Sequence, residues 1–73
     1  MKIISEKRTF TDGHRLTTFE MITDEKPSRQ DVIESQIRCG YSPSGYDGPW
    51  RIIHLIGANG NVITTWECAG SCD

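Results

Sequence analysis

Three cysteines and two histidines have the widest chemical range of the side chains in this sequence. Cys68 and Cys72 stand four residues apart, and with Cys39 and either His54 or His14 they would supply four zinc ligands. Structural zinc sites usually contain two ligand pairs, each two to four residues apart, and this sequence has one such pair. The match to a zinc site is therefore incomplete. We expect no cofactor, and small buried thiols at Cys39 and Cys68.

The same side chains do not form a catalytic pattern. Cys68 and Cys72 are one residue too far apart for the Cys-x-x-Cys redox motif. A cysteine–histidine nucleophile would need a third, orienting group and an oxyanion site in a cleft. Asp12, Asp47 and Asp73 stand at turn sequences or at the end of the sequence, where aspartate is typical of turns or of solvent-exposed positions. We therefore expect a protein without enzymatic activity.

Length and charge limit the class of protein further. The 73 residues predict one small domain over 1–73, of a size that buries about 60% of its unfolded surface. The net charge is −2, with acids and bases interspersed, which argues against a nucleic-acid binder that depends on clustered Lys and Arg. No apolar run has the length of a signal peptide or a membrane span, and the cysteine count is odd. We expect a cytoplasmic protein with reduced thiols and no membrane partner.

The first elements that would position these residues are two strands, 3–10 and 15–22, on either side of an Asp-Gly turn at residues 12–13. Asp-Gly between strand-like runs favours a two-residue type I′ turn, which pairs Thr11 with His14. In that register four apolar side chains share one face of the hairpin, because strand side chains alternate. They are Ile4, Phe10, Phe19 and Met21. This face is predicted to be buried.

A helix is predicted next, ending near Arg38. Ser28 and Asp31 approximate a capping box, although Pro27 is an alternative first helical residue with the cap on a preceding acidic side chain. Gly40 is a natural C-terminal stop. The predicted apolar stripe consists of Val32, Ile33, Gln36, Ile37 and Cys39. The predicted solvent face consists of Arg29, Glu34, Ser35 and Arg38.

A second hairpin is predicted from strands 50–57 and 61–68, joined by an Asn-Gly turn that pairs Ala58 with Asn61. Both faces of this hairpin are apolar. One face carries Ile53, Leu55, Val62 and Trp66. The other carries Ile52, Ile56 and Ile63 around His54. Together the elements predict an α+β fold of order ββαββ, a four-stranded antiparallel sheet with one helix packed on one face.

One short helix can cover only one face of this sheet. If it covers Ile53, Leu55 and Trp66, the second apolar set is left exposed, and an exposed apolar cluster usually marks a partner surface. In the first hairpin Ile3, Leu16 and Ile22 would extend that set. The occupant would be a host protein or a second copy of the chain, unless the loop at 40–49 folds over the face instead. The candidate partner-binding residues are Tyr41, Tyr46, Trp50, Ile52, His54, Ile56 and Ile63.

Two segments carry a resemblance. Gly-Tyr-Ser-Pro-Ser-Gly-Tyr at 40–46 and Thr-Trp-Glu-Cys-Ala-Gly-Ser-Cys-Asp at 65–73 resemble a pattern in small uncharacterised proteins of phages and prophages, over less than half of the chain. The resemblance implies an accessory protein of a phage or mobile element that binds and modulates a host protein in the host cytoplasm. Anti-CRISPR proteins and other anti-defence inhibitors are the class it suggests, with a defence complex as the target. The alternative is a small zinc-stabilised or nucleic-acid-associated module.

Overall fold

The structure, a computed structural model, describes residues 1–11, 16–40 and 48–69. The elements in chain order are β1 (Ile3–Thr11), β2 (Leu16–Thr23), α1 (Arg29–Arg38), β3 (Trp50–Ile56) and β4 (Val62–Ala69). The four strands form one antiparallel sheet in the order β1-β2-β4-β3, and α1 packs on one face of it. The predicted ββαββ arrangement of the α+β class is confirmed.

The first hairpin has a longer connection than the sequence predicted. Glu6 lies opposite Met21, where Ile4 was expected, because residues 12–15 separate the paired strand ends. A shift of two residues keeps Phe19 and Met21 on their predicted face, since the strand period is two. A bulge between Ile3 and Ser5 breaks this register, so Ile3 lies opposite the buried Thr23 and not on the face of Ile22 where it was predicted. Phe19 and Met21 are buried, but Ile4 near the start of the edge strand is 49% exposed. The predicted type I′ turn lies outside the described residues.

The second hairpin has a three-residue loop where the sequence predicted a two-residue turn. The Gly57 N–H donates to the Asn61 carbonyl oxygen at 2.7 Å, and the Gly60 N–H donates to the Gly57 carbonyl oxygen at 3.0 Å. Gly60 has a φ of 86°, but Asn59 does not have a positive φ. A type I′ turn needs positive φ at both central residues, so the predicted turn type is wrong.

The extra loop residue moves β3 by one position along β4. Leu55 lies opposite Ile63, one residue away from its predicted partner. Because side chains alternate between faces, a one-residue shift moves every β3 side chain to the other face. The predicted grouping of Ile52 and Ile56 with Ile63 is therefore wrong. Ile52 and Ile56 lie on the helix side, whereas Ile53 and Leu55 share the opposite face with Ile63.

The N-terminal capping box of α1 is confirmed. The Asp31 N–H donates to the Ser28 hydroxyl oxygen at 3.1 Å, and the Ser28 N–H donates to the Asp31 carboxylate at 2.9 Å. These two bonds make Ser28 the cap, in preference to the alternative start at Pro27. At the other end Gly40, with a φ of 91°, donates its N–H to the Ile37 carbonyl oxygen and stops the helix as predicted.

The buried face of α1 differs in part from the predicted stripe. Val32, Ser35 and Gln36 are buried, whereas Ser35 was expected in solvent. Ile37, expected on the stripe, is 52% exposed. The spacing explains this result: Ser35 and Gln36 lie three and four residues after Val32, which places all three on one helix face, and Ile37 lies one position off that face.

The core lies between α1 and the central strands β2 and β4. The Phe19 and Trp66 rings stack with centroids 5.5 Å apart. The Gln36 amide oxygen accepts hydrogen bonds from the Trp66 indole N–H and the Cys68 thiol, each at 3.0 Å. Among the described residues, the Gln36 amide nitrogen has no hydrogen-bond partner. A polar side chain of the helix therefore fixes Trp66 and Cys68 in an otherwise largely apolar cluster.

Candidate functional site

The sheet face opposite α1, which we call the open face, carries apolar side chains from three neighbouring strands. Leu55 of β3 lies opposite Ile63 of β4, and Ile63 lies opposite Ile22 of β2. Ile53 shares this face, two residues from Leu55. Leu55 is 60% exposed and Ile53 is 52% exposed, while Ile63 and Ile22 are half-buried. In the described ranges α1 is the only helix, and it lies on the other side of the sheet.

Polar groups border these apolar side chains. Lys7 and Glu20 form an ion pair at 3.5 Å, and Arg51 and Glu67 form another at 3.2 Å. Beside Ile53 the face has a shallow depression of about 270 Å³. The depression is lined by Thr18, Arg51, Ile53, Thr65, Trp66 and Glu67. An apolar centre with a polar, solvent-accessible rim is the usual composition of a protein–protein interface.

A bulge at the start of β3 shapes this rim. Trp50 pairs with Glu67, but the register shifts by one residue before Ile53. Arg51 lies within the shift and has a φ of 54°, a conformation uncommon outside glycine. Its guanidinium reaches the Glu67 carboxylate. Regular pairing with β4 therefore begins at Ile53, opposite Thr65. Bulges of this kind commonly redirect a side chain at a sheet edge.

The two edges of the sheet differ in chemistry. β1 presents Glu6, Lys7 and Arg8 in succession, the charged composition with which proteins discourage strand addition. β3 forms the other edge, and apart from Arg51 and His54 it is apolar. Within the described ranges no strand pairs with this edge, and an apolar edge strand is a template for pairing with another chain.

The predicted binding residues do not all lie together. Trp50 and Ile56 are 44% and 72% exposed, but Ile52 is half-buried against the core. The His54 ring nitrogen Nδ1 lies 2.9 Å from the Thr64 hydroxyl oxygen on the helix side. Of Ile52, Ile56 and Ile63, Ile63 alone faces the open side, where Ile22 of the first hairpin lies beside it as predicted. The binding role of these residues stays a prediction.

Sequence reasoning missed Ile53 and Leu55 as exposed residues. It placed them under the helix because it assigned a two-residue turn at Asn59-Gly60. The available signal was Gly60 itself, since a three-residue hairpin loop also favours glycine at its last position. Reading the loop in that way would have reversed the two faces of β3 and exposed both residues.

Among the described residues, the candidate zinc ligands Cys39, Cys68 and His54 do not form a site. Cys39 is half-buried, and burial raises the pKa of its thiol. Cys68 and His54 share the helix side, contrary to their predicted opposite faces. His54 nevertheless pairs with Thr64, four residues before Cys68, a separation of roughly 13 Å at about 3.3 Å per strand residue. Within the described ranges no group of three or more His, Cys, Asp and Glu side chains could hold a metal ion.

Several predictions on side chains fall outside what the structure describes. They concern Phe10, Asp12, His14, Leu16, Tyr41, Tyr46, Asp47, Cys72 and Asp73, together with the alternative in which the loop at 40–49 folds over the exposed face. In the part of the chain that is described, the ten-residue α1 is the longest helix, and no helix has the length and apolar character needed to span a membrane. Comparisons with protein-family models, curated proteins and solved structures find no match to this chain.

Proposed function

We propose that the chain is a protein-binding module, not an enzyme, and that it binds its partner through the open face. The observation that supports this proposal is the pair of exposed aliphatic side chains Ile53 and Leu55 beside Ile63. Soluble proteins seldom leave such a group uncovered without a use for it. Fully burying an exposed aliphatic side chain contributes about 1.5–3 kcal/mol, and because these three are already about half-buried, a partner would gain roughly half of that from each, which offsets part of the entropy lost on association.

The class of partner rests on the sequence resemblance. The segments 40–46 and 65–73 favour a phage or mobile-element accessory protein, and the proposed target is therefore a host protein in the cytoplasm. Inhibition of a defence complex, as by an anti-CRISPR protein, is the proposed outcome of binding. The open face has an apolar centre without a cluster of Lys and Arg, which favours a protein target over a nucleic acid.

A capture experiment with two charged variants tests the binding face. Leu55→Lys places a charge in the centre of the open face, whereas Ile37→Lys places one at a similarly exposed position on the helix side. A host protein captured by the wild type and by Ile37→Lys should be lost with Leu55→Lys. With the purified partner, we expect affinity to fall at least about tenfold, equivalent to 1.4 kcal/mol. Equal binding by all three forms would contradict the proposal.

The anti-defence role has its own test. Phage is plated on a bacterium carrying an active CRISPR system, with the chain expressed as wild type or as Leu55→Lys. We expect more plaques with the wild type and no increase with the variant. If plaque numbers do not change, the anti-defence class is wrong, and the capture experiment still decides whether the open face binds a protein.

A further inference from the structure

The β3 edge has backbone groups directed away from the sheet. The Gly57 N–H bonds to Asn61 across the hairpin. Hydrogen-bonded positions alternate in an antiparallel pair, so Leu55 and Ile53 also direct their backbone groups toward β4. Ile52, His54 and Ile56 alternate with these residues, so they direct their backbone N–H and C=O groups outward. No strand lies beyond β3 in the described ranges.

The segment 52–56 is self-complementary. It reads Ile-Ile-His-Leu-Ile, with two aliphatic residues on each side of His54. If two such segments pair antiparallel around a two-fold axis at His54, Ile52 meets Ile56 of the second copy and Ile53 meets Leu55 of the second copy. Every aliphatic side chain then faces an aliphatic one, and cross-strand pairs of this kind stabilise a sheet.

We propose that two copies of the chain associate by antiparallel pairing of their β3 strands around a two-fold axis at His54. The two four-stranded sheets become one eight-stranded sheet. A two-fold interface uses the same surface on both copies, and the segment 52–56 can pair with itself in this way. This inference goes beyond the proposed function, because it uses the backbone groups of the β3 edge and not the open face, and each proposal can fail without the other.

The limits of the paired segment match the local geometry. On one side the Arg51 bulge ends regular pairing, and on the other the chain enters the loop at Gly57. In the paired segment Ile52 of each copy lies opposite Ile56 of the other, and the two His54 residues lie opposite each other. Each of these three pairs exchanges two hydrogen bonds, about six in total. No residue of 52–56 is a permanently charged one, so no like charges oppose each other across the axis.

His54 lies at the proposed two-fold axis, so association of the two copies should depend on pH. Burial, and then the nearby charge of Lys26 in the segment between β2 and α1, lowers the pKa of His54. Its other contact is the uncharged Thr64 hydroxyl on β4. At neutral pH the two imidazoles are uncharged and do not repel each other. Below the lowered pKa both become cations at the axis, and association should weaken.

Sedimentation of the wild type from low to high micromolar concentration tests the dimer directly. We expect a mass approaching twice 8.2 kDa at neutral pH and a shift toward the monomer as pH falls. Ile56→Lys changes an edge side chain on the helix side and should give a monomer while leaving the open face intact. Ile4→Lys, at a comparably exposed position on the β1 edge, should remain dimeric. Circular dichroism checks that each variant is folded.

A cysteine pair tests the register. Two residues in a hydrogen-bonded antiparallel pair have Cα atoms about 5.5 Å apart, within the Cα range of a disulfide, although their Cβ atoms must approach each other for the bond to form. Under mild oxidation His54→Cys should therefore link to the same position of the second copy, above the background of the wild-type cysteines. Leu55→Cys, which faces Ile53 of the second copy, should not. The proposal is wrong if the wild type stays monomeric, or if Ile4→Lys loses the dimer as fully as Ile56→Lys does. It is also wrong if the disulfide forms at position 55 in place of position 54.

Discussion

Gly48 shows how closely the segment before β3 approaches β4. It has a φ of 116°, and a Cβ atom there would lie 2.9 Å from the Glu67 carbonyl oxygen and 3.2 Å from the Cys68 Cα. Both neighbours are backbone atoms, which cannot move aside without disturbing the β4 ladder. The sequence identified 40–49 as a glycine-rich loop, but composition alone does not show which glycine meets another strand.

Gly48→Ala should therefore be strongly destabilising. Left-handed strain costs about 1–2 kcal/mol, and the steric overlap adds about 1–3 kcal/mol. Gly60→Ala is the matched control, since Gly60 also has a positive φ but has no atom within 4 Å of a built Cβ. Urea unfolding followed by tryptophan fluorescence measures both changes. The steric account is wrong if Gly48→Ala lowers the free energy of unfolding no more than Gly60→Ala does.

The strands and the helix could be predicted wherever the pattern that defines them lies in neighbouring residues. The four strands, the helix and its Ser28–Asp31 cap each depend on neighbouring residues, and all of them were predicted. Strand register was not, because it depends on the number of residues in each loop. The Asn59-Gly60 pair fits a loop of two residues or of three, and that single difference decided whether Leu55 was buried or exposed.

An ion pair between Arg38 and Glu6 links α1 to β1. The Arg38 Nε donates to the Glu6 carboxylate at 3.0 Å and a terminal guanidinium nitrogen donates to the same group. The hydrogen bond from Arg38 lowers the pKa of Glu6 from its usual 4.5. A carboxylate with a lowered pKa in the folded state stabilises the fold fully above about 4.5, and this stabilisation is lost as pH falls toward the folded-state pKa.

Arg38→Gln should consequently make stability less dependent on pH. Near neutral pH its free energy of unfolding should be about 0.2–1 kcal/mol below that of the wild type, the range for a solvent-accessible ion pair. The difference should shrink as pH falls below 4.5. Arg29→Gln, at an exposed position in the first turn of α1, should retain the pH dependence of the wild type. Chemical unfolding of the three proteins at a series of pH values provides the comparison. A constant difference between wild type and Arg38→Gln at every pH would contradict this account.

The two edges of the sheet make the molecule asymmetric. Its β1 edge is charged and tied to α1, whereas its β3 edge is apolar and continues into the open face. A chain of 73 residues buries a small core, so the free energy available from that core alone is low. Pairing of β3 with a second copy would extend the hydrogen-bonded sheet and shield the aliphatic edge, which makes association a source of stability for the fold.

Thermal unfolding should therefore depend on protein concentration. Association that accompanies folding stabilises by mass action, so the wild-type Tm should rise by a few degrees for each tenfold increase in concentration in the micromolar range. Ile56→Lys should unfold at a concentration-independent Tm, because its edge cannot pair, and Ile4→Lys should behave as the wild type. Calorimetry at three concentrations distinguishes these cases. A wild-type Tm that stays constant would mean that the single sheet is stable by itself and that its apolar edge makes no contribution through a second copy.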